Sequence, residues 1–222
     1  YRNNIHQKHK IKFTYLKSIV SDSIRILNPN YLGNSDTTAD LFSVSYQFSH
    51  EKRDYSIYPL HGYALSFEIK KYFSSDVHHF ELLTKSEKHI EPFNRFYIGS
   101  SFKTKYSTKG NQPYFIQKAL GYGDYVRGYE YYVVDGQSYW LSKTAIKYAL
   151  IEKTYFEIPY IKMKQFKKCH YALYFSVFSD LGYVRNEKHQ AQNTLNNSFL
   201  WGKGIALDYV TYYDKLLRIE YS

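Results

Sequence analysis

The sequence alternates apolar with small or charged side chains over long runs, and no helical period of useful length appears in it. Successive side chains of a β-strand point to opposite faces, so a period of two predicts strands with one apolar face. In residues 62–73, for example, small or charged side chains alternate with Tyr63, Leu65, Phe67 and Ile69. Similar runs, some shorter and noisier, lie at 10–17, 40–50, 77–85, 94–108, 139–151, 171–184, 199–213 and 215–222. The pattern predicts nine strands and a nearly all-β chain.

The length of these runs separates two kinds of all-β fold. Several runs keep the alternation for more than ten residues, whereas the strands of soluble proteins cluster near ~5–6 residues. A tilted strand needs ~9–11 residues to cross a bilayer. Apolar residues outside and a polar interior are typical of a transmembrane antiparallel β-barrel, and we predict this fold. The lipid-facing residues would include Phe67, Phe102, Phe175 and Trp201. A soluble β-sandwich is the alternative, since it can show the same alternation.

The connections between the runs suit a single barrel domain. Short polar turns such as Ser74-Ser75-Asp76 alternate with longer loops at 108–137 and 185–198. Barrels of this kind have short turns at one end and long loops at the other. No Pro-, Ser- or Gly-rich linker divides the chain, so we predict one domain.

The chain is basic and aromatic, with a formal net charge of +10 and 20% aromatic residues. Basic residues among aromatic ones could form a groove for single-stranded nucleic acid. In a barrel, the alternation instead directs basic side chains into the lumen, so no nucleic-acid partner is expected. The basic residues that it assigns to the lumen are Lys103, Lys105, Lys143, Lys147 and Arg218.

The sequence contains no recognisable catalytic or cofactor-binding pattern. No G-x-S-x-G, H-E-x-x-H or G-x-x-x-x-G-K-[ST] string occurs in it. His78 and His79 precede Glu81, but adjacent residues of a strand face opposite ways, which argues against a metal site. The single Cys169 cannot form an internal disulfide. We expect no enzymatic activity, no cofactor and no metal.

Four short motifs carry a resemblance to a known family. The first is Arg53-Asp54 followed by Tyr58-Pro59-Leu60-His61-Gly62, and the second is Val126-Arg127-Gly128-Tyr129 in the longest loop. The third is Phe178-Ser179-Asp180-Leu181-Gly182. The fourth is Gly202-Lys203-Gly204-Ile205-Ala206-Leu207, which precedes a turn at Tyr213-Asp214-Lys215 and a strand at Leu217-Arg218-Ile219-Glu220-Tyr221. In composition and order they resemble the motifs of the BamA-like outer-membrane assembly proteins of the bacterial surface antigen superfamily. The tyrosine- and lysine-rich composition resembles the Bacteroidota branch.

The resemblance implies that this chain is part of a larger barrel. The family barrel has sixteen strands, and residues 1–222 would supply about nine of them. These correspond to the C-terminal half without the final strand, and the upstream strands and periplasmic repeats would be absent. An open strand edge cannot face lipid. We therefore expect the missing part of the same barrel to be a partner of this chain.

The resemblance also implies a functional site. In the family the long loop folds into the lumen, with Val126, Arg127, Gly128 and Tyr129 at its tip and Arg127 bound to carboxylates of the inner wall. The alternation independently directs Asp180 to the lumen. Where the family often has a second carboxylate, this chain has Lys147, so Glu220 or Glu68 is expected to contribute instead. Because a barrel lumen is wet, we expect a modest direct contribution of the pair to stability.

The function implied is that of an outer-membrane protein assembly factor in a Gram-negative bacterium. Its partners would be nascent outer-membrane β-barrel proteins, accessory assembly lipoproteins and outer-membrane lipid. A polypeptide secretion pore of the same superfamily is an alternative that the motifs do not separate from it. A plain porin or adhesin barrel is another alternative, and it needs no Val-Arg-Gly-Tyr loop.

Overall fold

The fold is a single antiparallel β-sheet, seen in a computed structural model that describes residues 5–29, 31–33, 37–74, 78–108, 112–157, 168–187, 194–211 and 215–222. The described part of the chain forms nine strands: β1 (Gln7–Ile19), β2 (Thr38–Glu51), β3 (Gly62–Phe73), β4 (His78–Phe93), β5 (Phe96–Ser107), β6 (Ser138–Glu157), β7 (Lys168–Arg185), β8 (Phe199–Thr211) and β9 (Lys215–Tyr221). A short helix α1 (Asp22–Leu27) and a 3-10 helix (Tyr114–Ile116) lie in the connections. Within the described residues, no helix is long and apolar enough to cross a membrane.

The strands pair in chain order, from β1 at one edge to β9 at the other. Every neighbouring pair is antiparallel. β1 to β8 contain between 12 and 20 residues each, which is long enough to cross a bilayer at a tilt. The predicted antiparallel all-β fold is therefore confirmed. In the described residues β1 and β9 each pair on one side only, so the sheet is open.

The two faces of the sheet differ as the alternation predicts. One face, here called the outer face, exposes large apolar side chains such as Phe102 at 43% and Trp201 at 55%. Phe175 is also exposed on it, and Phe67 packs there against the ring of Phe48. The opposite, inner face carries polar and small side chains and is covered in part by the loop between β5 and β6. All five basic residues assigned to the lumen contact groups on this inner side: Lys103, Lys105, Lys143, Lys147 and Arg218.

Several predicted strand bounds are wrong, for two physical reasons. β4 continues to Phe93 instead of ending at residue 85, and β6 continues to Glu157 instead of residue 151. The added residues are mostly polar, and they stay in the sheet because backbone hydrogen bonds to the neighbouring strands hold them. The predicted strand 94–108 begins at Phe96 instead, since Arg95 adopts a positive φ of 67° in the turn before it.

The predicted arrangement of turns and loops holds for the two long loops and fails for one short turn. The long loops follow β5 and β7, which run in the same direction, so both lie at one end of the sheet as predicted. β3 runs in that direction too, so the short connection after it lies at the same end as the long loops and not at the opposite one. Of the turns named from the sequence, Ser75, Asp76, Tyr213 and Asp214 lie outside the described residues.

The buried apolar groups of the described residues lie on the inner face, where connections fold onto it. The largest cluster joins the long loop to β6, β7 and β8: Ala119, Leu120, Val126, Val134, Tyr139, Leu141, Val184 and Leu200. A second cluster places Tyr58 of the connection 52–61 against Ala149, Ala172 and Tyr174. Two connections of the chain itself thus cover part of the inner face, and these connections position the site described next.

Candidate functional site

The long loop between β5 and β6 has its own internal structure. Leu120 and Val134 form an isolated antiparallel bridge across it. Near the bridge, Asp135 accepts hydrogen bonds of 2.5 Å from the hydroxyls of both Tyr114 and Tyr122. Burial and the hydrogen bond to Asp135 raise the pKa of Tyr114 to about 12 and also raise the pKa of Tyr122. These bonds make the base of the loop a defined support for its tip.

The tip of the loop is a tight turn over residues 126–129. The backbone N–H of Tyr129 donates to the carbonyl of Val126 at 2.9 Å. Gly128 has a φ of +89°, which the third residue of a type II turn requires and which glycine adopts without strain. Val126 is 1% exposed and packs into the apolar cluster of the loop. The turn therefore presents Arg127 toward the inner face of the sheet.

Arg127 binds Asp180 of β7 through two parallel hydrogen bonds. Its Nε donates to Oδ2 at 2.8 Å and its Nη2 donates to Oδ1 at 2.6 Å. The backbone N–H of Arg127 also donates to Oδ2, at 3.3 Å. A guanidinium matches a carboxylate in this bidentate geometry, and a lysine ammonium cannot. We call this pair of residues the loop anchor.

The loop anchor is more deeply buried than expected from a wet lumen. Asp180 is 0% exposed and Arg127 is 8% exposed. The guanidinium centre lies 3.5 Å from the centre of the Phe178 ring, where the negative face of the ring attracts the cation. A buried charge is costly unless it is paired and hydrogen-bonded, and both conditions hold here. The wet surroundings expected for the pair are therefore not found, and the modest contribution to stability stays a prediction.

The surrounding strands leave space for the loop tip. Asp180 stands in register with Gly202 of β8. A Cβ on Gly202 would lie 1.9 Å from the Arg127 carbonyl oxygen, and a Cβ on Gly182 would lie 2.6 Å from the Val126 side chain. These two glycines are needed because backbone and side chain of the loop tip occupy the space beside them.

Other charged groups surround the loop anchor to different degrees. Glu220 of β9 has its Oε2 3.8 Å from Nη1 of Arg127, so it is a second and weaker partner. Lys143, which stands in register with Asp180 on β6, has its Nζ 3.8 Å from Oδ2 of that carboxylate. The structure places Glu68 on β3, four strands away from β7 in the sheet order. The structure thus brings Arg127, Asp180 and Glu220 together and leaves Glu68 apart.

A second anchor holds the connection 52–61 to the inner face. The Tyr58 hydroxyl donates to Asp208 of β8 at 2.8 Å, and Asp208 also receives Nε and Nη2 of Arg218 from β9. Lys147 donates to the carbonyl of Pro59 at 3.3 Å, and its ammonium lies 3.8 Å from the Tyr58 ring centre. In this chain Lys147 therefore binds the connection 52–61.

Three contributors to these contacts were not assigned a role from the sequence. The role of Phe178 could have been suspected from the sequence, because Phe178 is a large aromatic residue at a position of the otherwise small, polar face. Gly202 lies in a Gly-x-Gly pair whose inward position follows from the alternation. Lys143 was assigned to the lumen, but its approach to Asp180 depends on the register of β6 and β7. Sequence spacing alone does not define that register.

The described residues show no arrangement suited to binding a metal. They contain no group of three or more His, Cys, Asp or Glu side chains that could hold a metal ion. His79 and Glu81 approach to 3.5 Å on the inner face, but they form only a pair. What the site does chemically is to hold two connections of the chain against one wall, the long loop through the ion pair of Arg127 and Asp180 and the connection 52–61 through hydrogen bonds.

Comparisons with known proteins agree with this geometry. Residues 4–212 match the Omp85 superfamily domain. A crystal structure of BamA from Haemophilus ducreyi lacking POTRA domains 1-3 is similar to the chain with a TM-score of 0.66 at 14% sequence identity. The similarity covers 99% of this chain and 48% of that chain, so this chain spans about half of its length.

A search of curated proteins by sequence found no significant match. The identity to BamA is low, so that similarity concerns the fold. The domain match covers nearly all of the sequence, and with the fold it indicates an outer-membrane β-barrel. The chain belongs to the Omp85 superfamily.

Proposed function

We propose that the chain is part of the barrel of an outer-membrane protein assembly factor, which helps β-barrel proteins fold and insert into the outer membrane of a Gram-negative bacterium. The superfamily match and the BamA-like fold support this proposal. The observation that carries it is the loop anchor. It binds the tip of the longest loop to the wall through a buried, bidentate pair between Arg127 and Asp180.

The partial covering of the inner face by two connections favours this function over a plain diffusion porin. A porin needs an open aqueous channel. Here the loop packs an apolar cluster against β6, β7 and β8, and the connection 52–61 packs a second cluster beside it. These contacts occupy space that a diffusion channel would require, and they are consistent with a wall that supports other strands.

The proposed partners follow from the proposed function. They are nascent outer-membrane β-barrel proteins, accessory assembly lipoproteins, the remainder of the same barrel and outer-membrane lipid. Unpaired N–H and C=O groups at a strand edge recruit another strand, which is the physical basis for assisting a folding client. We propose no enzymatic activity, and a Bacteroidota origin stays a prediction from composition.

The test is assembly activity of the natural full-length protein reconstituted in lipid vesicles. We expect Arg127→Ala and Asp180→Asn each to slow the folding of an added outer-membrane protein several-fold. Arg127→Lys should rescue little, because an ammonium cannot replace the bidentate contact. Arg185→Ala is the matched control, since the only ion pair of the Arg185 side chain among the described residues is an exposed one with Glu187.

Three outcomes would count against the proposal. Wild-type vesicles that do not accelerate folding of any client would contradict an assembly function. Vesicles that instead release a soluble polypeptide across the membrane, in a manner dependent on Arg127, would support a secretion pore. Ion conductance that is high and insensitive to Arg127→Ala would favour a porin.

A further inference from the structure

A cavity of about 270 Å³ lies on the inner face between the two anchors. Its lining includes Arg127 of the loop anchor and Arg218 of the second anchor. Lys143 and Lys147, which both belong to β6, also line it. Four cationic side chains from three parts of the chain therefore border one space.

The centre of the cavity is lined by small residues. Ala145 lies between the two lysines on β6 and stands in register with Gly99 of β5. Lys143 and Lys147 are four residues apart, so their Cα atoms are separated by about 13 Å along the strand. Small residues between long basic ones leave room for a ligand that both ammonium groups can reach.

The cations around the cavity are not all paired with a carboxylate. Asp180 pairs with Arg127, Asp208 pairs with Arg218, and Glu220 lies 3.8 Å from Arg127. The four cations that line the cavity thus have three carboxylates in direct contact with them, while Asp124 and Asp54 act on Lys143 and Lys147 from farther away. Lys143 shares Asp180 with Arg127. Among the described residues Lys147 contacts a carbonyl and a ring but no carboxylate.

Two further groups at the cavity have unused hydrogen-bonding capacity. Arg218 directs Nε and Nη2 to Asp208, which leaves Nη1 without a bond to the described residues. His89 also lines the cavity, and neither of its buried ring nitrogens has a hydrogen-bond partner in the described part of the chain. Buried polar groups are normally satisfied, so the two unpaired nitrogens of His89 beside this cluster of cations indicate a missing ligand.

We propose that this cavity binds an oxyanion of the size of phosphate or a carboxylate, with the Lys147 ammonium as its principal partner. Lys143, Nη1 of Arg218 and the His89 ring complete the site. Hydrogen bonds between charged donors and an anion are strong. This inference concerns the cavity alone and does not depend on the proposed function.

Calorimetric titration of the natural full-length protein in detergent micelles tests the site. The probe is inorganic phosphate, added at constant ionic strength against a chloride background, and acetate is titrated in a second arm. Phosphate binding would indicate a phosphate-type ligand, whereas binding of acetate alone would indicate a carboxylate. Either result supports the site. Absence of binding in both arms beyond the chloride response would overturn it.

Three variants locate the bound anion. Lys147→Gln should weaken binding about tenfold, which corresponds to the loss of one charged hydrogen bond, while its amide can still donate to the Pro59 carbonyl. Lys143→Gln serves the same purpose if Lys147→Gln does not fold. Lys85→Gln is the matched control, because Lys85 pairs with Glu87 outside this cavity. An equal loss in Lys85→Gln and Lys147→Gln would refute the location.

Discussion

At the scale of single residues, the most informative contact is the pair between Arg127 and Asp180. The carboxylate is 0% exposed, and it receives three donors from Arg127. Removal of one partner would leave the other charge with only a longer contact, of 3.8 Å to Lys143 or to Glu220, and breaking a buried pair usually costs more than the intact pair contributes. The pair therefore acts mainly to specify where the loop tip lies.

A double-mutant cycle measures how strongly the two residues depend on each other. Asp180→Ala and Arg127→Ala should each lower the free energy of unfolding by about 3 kcal/mol, as expected for breaking a buried ion pair. The double variant should be little worse than either single one, because the interaction is already lost. Urea unfolding of the full-length barrel in detergent gives these values. Strictly additive losses would show that the two residues act separately.

The glycine beside the anchor provides a second prediction. Gly202→Ala places a Cβ at 1.9 Å from the Arg127 carbonyl oxygen, so the loop tip must move. We expect a loss of about 2 kcal/mol, the usual cost of overpacking, together with faster proteolysis of the loop. Gly123→Ala is the control, since no atom lies within 4 Å of its added Cβ. Equal effects of the two substitutions would contradict the close approach.

At the scale of elements, each strand has one face for lipid and one for the interior. β5 shows this at neighbouring positions, where Phe102 is exposed on the outer face and Ser101 lines the inner cavity. The same parity holds in the strands beside it because the register aligns outer residues with outer residues. The apolar surface of the sheet is therefore continuous across strands.

Arginine substitutions in β5 test the assignment of faces. Phe102→Arg puts a charge at a mid-strand position of the outer face and should cost ~2–4 kcal/mol in a bilayer. Ser101→Arg adds the same side chain on the inner face and should cost clearly less. Folding yields and unfolding free energies in lipid vesicles compare the two variants. Equal tolerance of arginine at both positions would refute the assigned faces.

At the scale of the whole molecule, the open edges of the sheet have the largest influence on stability in a membrane. β1 and β9 each have one paired side in the described residues. Unpaired backbone groups at such an edge cannot be satisfied by lipid. The stability of these strands in a membrane therefore depends on pairing beyond the nine strands described.

The 222-residue chain on its own should accordingly not form a stable closed barrel. Folded alone in detergent, it should migrate identically on gels with and without heating, because a closed barrel is what resists unfolding by the gel detergent. The natural full-length protein, treated in parallel, should show heat-dependent migration. A heat-dependent shift of the isolated chain would contradict this prediction.

The sequence by itself determined the strands, their faces and the family. These follow from a local property, the period of two, and from short motifs that are read without knowledge of contacts. Asp180 was assigned to the inner face in this way, and so were Lys143 and Lys147. Strand ends were less well predicted, because β4 and β6 extend through polar residues that only their neighbours hold in the sheet.

Only the tertiary structure decided which of the inward residues meet. Glu220 approaches Arg127 and Glu68 does not, because β9 follows β8 next to the anchor while β3 lies on the far side of β4, β5 and β6. Lys147 binds the connection 52–61, nearly ninety positions earlier in the chain. Such contacts depend on the register of the strands and on loops that fold back across several strands. The period of two defines a side chain's face, and the pairing of whole strands defines its partner.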